Sequence, residues 1–341
     1  MRDAWLPFLA WRLLVTTCVY LLPMMSPSAF ADPQTINPGE IWPDDRGNHI
    51  NAHGGGILQQ GGTYYWFGED RSQGLDPDKR YVSCYASTDL AHWTFRNRVL
   101  QLSDPENFGP KWVLERPKVY YNDTTKQYVM YMHVDSGDYK LARVGVATCD
   151  TVDGDYTYRK SFRPLNHESR DIGQFIDDDG TAYLIFEDRP LGFHIAKLSD
   201  DYLDVVKDVH LFTKAEGGAL EGGALVHDNG LYYVVGSQMS GWHPNPNRYA
   251  TATSLEGPWS EFKDIAPPEA KTYGSQSSML VKVVGSKTTT VIFLGDIWKP
   301  ETQWDSRYLW MPLEIGDGKL SLPPPKPWTL DVQTGEARIR N

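Results

Sequence analysis

The chain is short of sulfur and of positive charge. Only three of its 341 residues are cysteines, and one of these, Cys18, lies in the apolar N-terminal stretch. The other two, Cys84 and Cys149, cannot build a disulfide scaffold. Nothing in the sequence sets the distance between them, so a single bridge stays open. Lysine and arginine number 33 against 44 aspartates and glutamates, a formal charge of −11. An acidic surface of that size argues against nucleic acid and anionic lipid as partners, since both repel it. Beyond residue 31 no apolar run is long enough to cross a bilayer as a helix, and helical periodicity is nearly absent. Also missing is a G-x-S-x-G elbow, so "HGGG" at His53 has no serine nucleophile to serve as an oxyanion hole.

Residues 1–31 carry Arg2 and Arg12, an apolar run from Leu13 to Leu22, and small residues at Ala29 and Ala31. This pattern predicts a secretory signal cut before Asp32, and hence a secreted or periplasmic protein. Loss of Arg2, Arg12 and Asp3 makes the mature chain one charge more negative. Aromatic residues are in excess, with 12 Trp and 19 Tyr. They are either core or platforms for flat ligands such as sugar rings, and position must decide.

Self-similarity organises the remainder. Five six-residue segments align without gaps, starting at His53, Glu115, Asp171, Glu221 and Gln276, each opening on a polar residue and ending on an apolar pair. After each comes a turn rich in Asn, Asp, Gly or Lys and then a second β-type run, such as "TYYWFGE", "QYVMYMH" or "TAYLIFE". A third run follows in most units. Five small antiparallel sheets at a period of 50 to 62 residues predict an all-β, five-bladed β-propeller occupying residues 32–341 as one domain. The Pro-rich "LPPPKPW" is expected to end the last blade. Whether residues 33–48 pair with that blade is left open.

In a propeller the first strand of each blade lies nearest the axis, so the five opening residues converge at one mouth. Hairpin geometry brings Glu69, His133, Glu187 and Asp296 to the same face, and the following loops are expected to wall it with Tyr139, Trp242, Trp298 and Trp304. Clustered carboxylates push one pKa up. An acid held protonated beside ionised carboxylates suits glycosidic cleavage, where one group protonates the leaving oxygen and another assists water.

At these residues the sequence resembles glycoside hydrolase family 43, and within it the exo-β-1,3-galactanase subfamily. "INAHGGGI", "GTYYWFGE", "ERPKV", "RDIGQFIDDDG", "LEGGAL" and "GSQSS" follow in that subfamily's order. The resemblance implies that Glu221 is the general acid and that Asp171 orients it and raises its pKa. The wider family carries an Asp general base where this chain has His53, and the subfamily resemblance points instead to Gln276 with Glu115. Gln276 would relay a proton as an imidic tautomer, or Glu115 would take it directly, and both routes belong to an inverting mechanism. Arg116, Tyr139 and Gly241 match positions lining the terminal galactose pocket. An ion pair with a neighbouring carboxylate is the other role open to Arg116. Glu69 is expected to hold a sugar hydroxyl, Trp242 to wall the pocket, and His53 to fill the rim.

The resemblance therefore implies an exo-glycosidase that releases galactose from β-1,3-galactan, with α-L-arabinofuranosidase or β-xylosidase as alternatives. A non-catalytic carbohydrate-binding propeller is the alternative from another class. No cofactor is expected. A structural calcium ion is compatible with the sequence but not predicted, a lone His53 is weak evidence for a metal, and "DDDG" at Asp177 reads as a turn without the later ligands of a calcium loop. The expected partner is a polysaccharide or oligosaccharide substrate, with no nucleic acid, no membrane, and a monomeric state.

Overall fold

The run "QYVMYMH" is apolar at nearly every position because both faces of its strand are covered. Val129 and Tyr131 belong to an apolar cluster shared with Ile172, Leu184 and Phe186, whereas Met130 and Met132 belong to another shared with Phe67 and Val82. Successive residues thus feed alternate cores, each fully buried side chain contributing about 1.5–3 kcal/mol. A computed structural model describes Met1 and residues 34–340, and all of the expected signal after Met1 lies outside them.

The described residues are all-β, with only short 3₁₀ turns between strands. Five separate antiparallel sheets follow one another along the chain, and none closes on itself. Sheet one comprises His53–Gln60, Thr63–Glu69, Arg80–Ser87 and Thr94–Leu102. Sheet two has Val113–Asn122, Gln127–Asp135, Arg143–Cys149 and Thr157–Phe162. Sheet three has Ile172–Ile176, Ala182–Asp188, Gly192–Leu198 and Val205–Thr213. Sheet four has Leu220–Asp228, Leu231–Gln238, Asn247–Ala252 and Lys263–Asp264. Sheet five has Gln276–Val284, Thr289–Ile297 and Arg307–Pro312. The first strand of each sheet packs against the first strand of the next, and that of sheet five against that of sheet one. Among these residues no helix is long and apolar enough to cross a membrane.

The chain ends correct one expectation. "LPPPKPW" does not finish sheet five but leads into Trp328–Asp331 and Glu336–Ile339, which form a separate sheet with Thr35–Ile36. Trp328 is fully buried there and donates its indole N–H to the Trp310 carbonyl at 2.8 Å. Trp310 in turn packs with Trp42, Trp66 and Trp93 at centroid distances of 4.5–6.0 Å. Much of the aromatic excess is therefore core. Cys84 and Cys149 are both free thiols. Asp177–Gly180 is a tight turn in which the Gly180 amide donates to the Asp177 carbonyl at 2.9 Å.

Candidate active site

The five polar residues that open the repeats sit at one register. His53 stands opposite Glu69, Glu115 opposite His133, Glu221 opposite Ser237, and Gln276 opposite Asp296. In sheet three the Glu187 amide donates to the Asp171 carbonyl at 3.0 Å. In sheets one, two, four and five the ladder skips just past this point, a bulge that re-aims the strand and its side chains. The next residue then takes a left-handed backbone in three sheets, with φ of 56° at Gly54, 54° at Arg116 and 62° at Gly222. Sheet two thus places an arginine where sheets one and four place glycine, at a cost of about 1–2 kcal/mol. Strain of this kind gathers where a side chain is needed for function.

Arg116 is buried and joins four elements. Its backbone N–H donates to Glu69 Oε1 at 3.0 Å, and its guanidinium to the Ser277 carbonyl at 3.0 Å, to Asp171 Oδ2 at 2.9 Å and to Gln276 Oε1. Burial opposes its charge, but Asp171, Asp296 and Glu69 outweigh burial and hold it protonated. Arg116 is therefore both ion-pair partner and cavity wall. No added Cβ would fit at Gly54, where it would lie 2.8 Å from Glu69 Oε1 and 3.1 Å from Arg116 Cδ. "HGGG" is thus a close-approach element that admits this arginine.

Around Arg116 lies a cavity of about 390 Å³, within the range of small-molecule sites. Glu69, Glu115, Arg116, Tyr139, Asp171, Glu221, Gly241, Trp242, Gln276 and Trp298 all line it. Its inner end is formed by buried Glu69, Arg116 and Glu221, and its outer end by exposed Trp242, which meets Trp298 edge-on at 5.5 Å. Two expectations are corrected here. His53 does not line the cavity: it is fully buried, stacked on Tyr308 at 5.1 Å with Nδ1 3.5 Å from Asp296 Oδ1, because the strand turns its side chain into the core. Trp304 does not line it either, since it sits in the 3₁₀ turn Pro300–Asp305 beyond Trp298.

The carboxylates are driven apart in proton affinity. Burial, then the charges of Asp171 and Glu187, push Glu221 up to about 9, and Arg116 and Arg189 offset this only in part. Glu221 is therefore protonated at neutral pH. Glu115 is also buried, yet His133, Arg71 and Tyr139 overcome burial and pull it down to about 2. His133 Nδ1 lies 3.2 Å from Glu115 Oε2, and the Tyr139 hydroxyl donates to Glu115 Oε1 at 2.8 Å. His133 is raised to about 9 despite burial, by Asp135 and Glu115. Asp171 accepts from the Gly222 N–H at 3.0 Å, which ties it to the strand carrying Glu221.

Gln276 is fixed at both ends of its amide. Nε2 donates to Glu221 Oε1 at 2.9 Å and to Ser237 Oγ at 3.0 Å, while Oε1 accepts from Arg116 and from the Trp298 indole at 2.8 Å. Glu115, His133 and Asp171 offer donor atoms within 4.8 Å of one another. Each of the three already has protein partners: His133 and Tyr139 for Glu115, Asp135 for His133, and Arg116 for Asp171.

Several lining residues escaped the sequence reading. Arg170 and Arg189 both line the cavity, and Arg189 Nε donates to Glu187 Oε1 at 2.6 Å. The repeated tripeptide "EDR", at Glu69–Arg71 and Glu187–Arg189, is a signal that would have found Arg189. Lys118, two residues past Arg116, has no exposed surface; it donates to the Gly54 carbonyl at 2.6 Å, and burial lowers it to about 7.

Comparison with known proteins agrees with this geometry. The model of the Glycosyl hydrolases family 43 matches residues 53–295. Among solved structures, an exo-β-1,3-galactanase from Phanerochaete chrysosporium with galactose is 41% identical, with a TM-score of 0.84 over 90% of this chain and 71% of that one. An exo-β-1,3-galactanase from Clostridium thermocellum is 36% identical, with a TM-score of 0.81 over 90% and 68%. A putative exo-β-1,3-galactanase from Bifidobacterium bifidum is 37% identical, with a TM-score of 0.78 over 84% and 96%. Comparison with curated proteins found no match.

Proposed function

From the premise that this chain belongs to the glycosyl hydrolases of family 43 and is a glycosidase, we propose that it is a secreted, inverting exo-β-1,3-galactanase that releases galactose from galactan chain ends. Residues 1–31 are the export signal in this reading. Residues 32–341 form one catalytic domain, a five-bladed propeller whose blades are the five sheets, and it acts as a monomer. The single observation that carries the chemistry is Glu221 in one cavity with Asp171 and Glu115, bonded by Gln276 Nε2, its proton affinity raised by burial and Asp171 while that of Glu115 is lowered by His133.

Glu221 is the general acid, giving its proton to the glycosidic oxygen as that bond breaks. Asp171 keeps the proton on Glu221 by its charge and is in turn held by Arg116 and the Gly222 amide. A cavity buried at one end and open at the Trp242 end suits a chain entering by its terminal sugar, with Glu69 and Arg116 beneath that sugar and Trp242 and Trp298 beside it. The galactanase reading is preferred over arabinofuranosidase or β-xylosidase because the galactanases above share 36–41% of their residues with this chain. Membership among glycosidases removes the binding-only alternative.

Two groups are open to the water's proton, and each has an observation in its favour. Glu115 is ionised, and its oxygens have lone pairs beyond those used by His133 and Tyr139. Gln276 has Oε1 held by the Arg116 and Trp298 N–H groups, which stabilises the negative oxygen of an imidate, so Nε2 can pass a proton to Glu221 Oε1 as that acid is spent and take the water's proton in its place.

Proton NMR of the first sugar released from β-1,3-galactan tests the function. Initial α-galactose is expected. β-Galactose refutes inversion, and no galactose refutes the substrate. Azide rescue separates the two routes for the base: α-galactosyl azide from Glu115→Ala but not from Gln276→Ala assigns Glu115, and the reverse assigns Gln276.

A further inference from the structure

The two "EDR" triplets end the second strands of sheets one and three, and in each the arginine folds back on the glutamate two residues before it. The aspartate between them points to the opposite face. In sheet one that residue is Asp70. Its Oδ1 accepts from the Ser72 amide at 2.9 Å, and its Oδ2 from Ser83 Oγ at 2.7 Å and Arg98 Nε at 2.8 Å. Its charge is fully answered.

Asp188, at the equivalent place in sheet three, is only 2% exposed and has no lysine or arginine partner among the described residues. His194 occupies the register position of Ser83, pairing with Phe186 as Ser83 pairs with Gly68. His194 Nε2 lies 3.5 Å from Asp188 Oδ2, and His167 Nδ1 lies 3.0 Å from the same oxygen. Asp188 Oδ1 and His194 Nε2 are both buried without a hydrogen-bond partner. On the far side of the ring, His194 Nδ1 meets Asp208 Oδ2 at 3.1 Å. The proton of a neutral ring therefore sits on Nδ1, and Nε2 turns a lone pair toward a carboxylate. Two lone-pair groups buried face to face call for a positive centre between them.

We propose that His167, Asp188 and His194 form a site for a divalent transition metal, Zn²⁺ by ligand type, on the face of sheet three opposite Arg189. Donor atoms on a tetrahedral Zn²⁺ at 2.0–2.1 Å lie about 3.3 Å apart, to be compared with the 3.0 and 3.5 Å found. Stacking on Phe186 at 4.5 Å and 5° fixes the His194 ring, and Asp208 holds its tautomer, the arrangement that orients metal-bound histidines. The His167 side chain is 30% exposed, which gives an ion a way in and leaves room for water as the fourth ligand. His167 precedes Arg170 and Asp171 by three and four residues, so the metal would brace the segment that enters the cavity. This goes against the expectation of a metal-free protein, and it is independent of the galactanase reading.

Chelator-stripped protein titrated with Zn²⁺ by calorimetry, and with Co²⁺ by visible absorption, tests the site. One equivalent of Zn²⁺, an intense tetrahedral Co²⁺ band and a raised Tm are expected. His167→Ala, on a partly exposed turn, and His194→Gln should each weaken binding more than about 100-fold, and Asp208→Asn about 10–100-fold. A folded wild-type protein that takes up no stoichiometric metal overturns the proposal. Binding that survives both histidine substitutions also overturns it, placing the ion elsewhere, such as at Asp177, Asp178 and His227.

Discussion

Removing the acid should make the protein more stable, and the gain should depend on pH. Glu221 has an ordinary value of 4.5 in the unfolded chain and about 9 in the folded one. A group raised on folding gives its full stabilisation below its unfolded value and loses it as pH rises toward its folded value. At pH 7 the unfolded carboxyl has released its proton and the folded one has not, a difference of about 3 kcal/mol against the folded state. Glutamine is neutral in both states and is free of that penalty, while its amide oxygen can still accept from Gln276 Nε2. Water at the cavity mouth trims the figure, leaving an expected gain for Glu221→Gln of about 2–3 kcal/mol at pH 7. That corresponds to about 3–5 °C in Tm for a domain of this size. Calorimetric scans of both proteins from pH 4 to pH 9 provide the assay. The two Tm curves should meet near pH 4 and diverge steadily above it. Parallel curves across that range would refute the raised proton affinity, and with it the physical basis for assigning the acid.

The rate should report the same proton. kcat/KM on a galactan substrate is expected to stay flat through neutrality and fall above about pH 9, as Glu221 deprotonates and His133 loses its charge. A fall centred near 4.5 would show an unperturbed carboxyl. Trp242→Ala removes an exposed face at the cavity mouth that touches no reacting group, so KM should rise about tenfold, or about 1.4 kcal/mol, with kcat nearly constant. A matching loss in kcat would place Trp242 closer to the chemistry than the geometry does.

The register of the repeats made much of the site legible. Once His53, Glu115, Asp171, Glu221 and Gln276 were aligned, hairpin pairing put Glu69, His133 and Asp296 at their sides, and the ladders have those partners. Alternation could not tell which way the side chain at the first of these positions turns, and His53 went into the core while Arg116, one residue past Glu115, became the hub. Its left-handed backbone has no signature in an "ERP" tripeptide. Arg170 and Lys118 were missed for a related reason: each looks like an ordinary charged residue until neighbouring strands surround it. The chain ends were illegible because two residues, Thr35 and Ile36, carry no pattern that names a partner far along the sequence.

That last pairing sets an order of events for a chain made from its N-terminus. Each of the five sheets is built from contiguous residues, so its hairpins close over short loops as soon as they leave the ribosome. Thr35 and Ile36 are made before all five sheets yet wait for Trp328, which is made after them. Until then Ile36, Trp310 and the surface that Trp328 will cover stay open to water. The newborn molecule is most adhesive just before its seam is sewn, and a chain cut short before Trp328 stays in that condition.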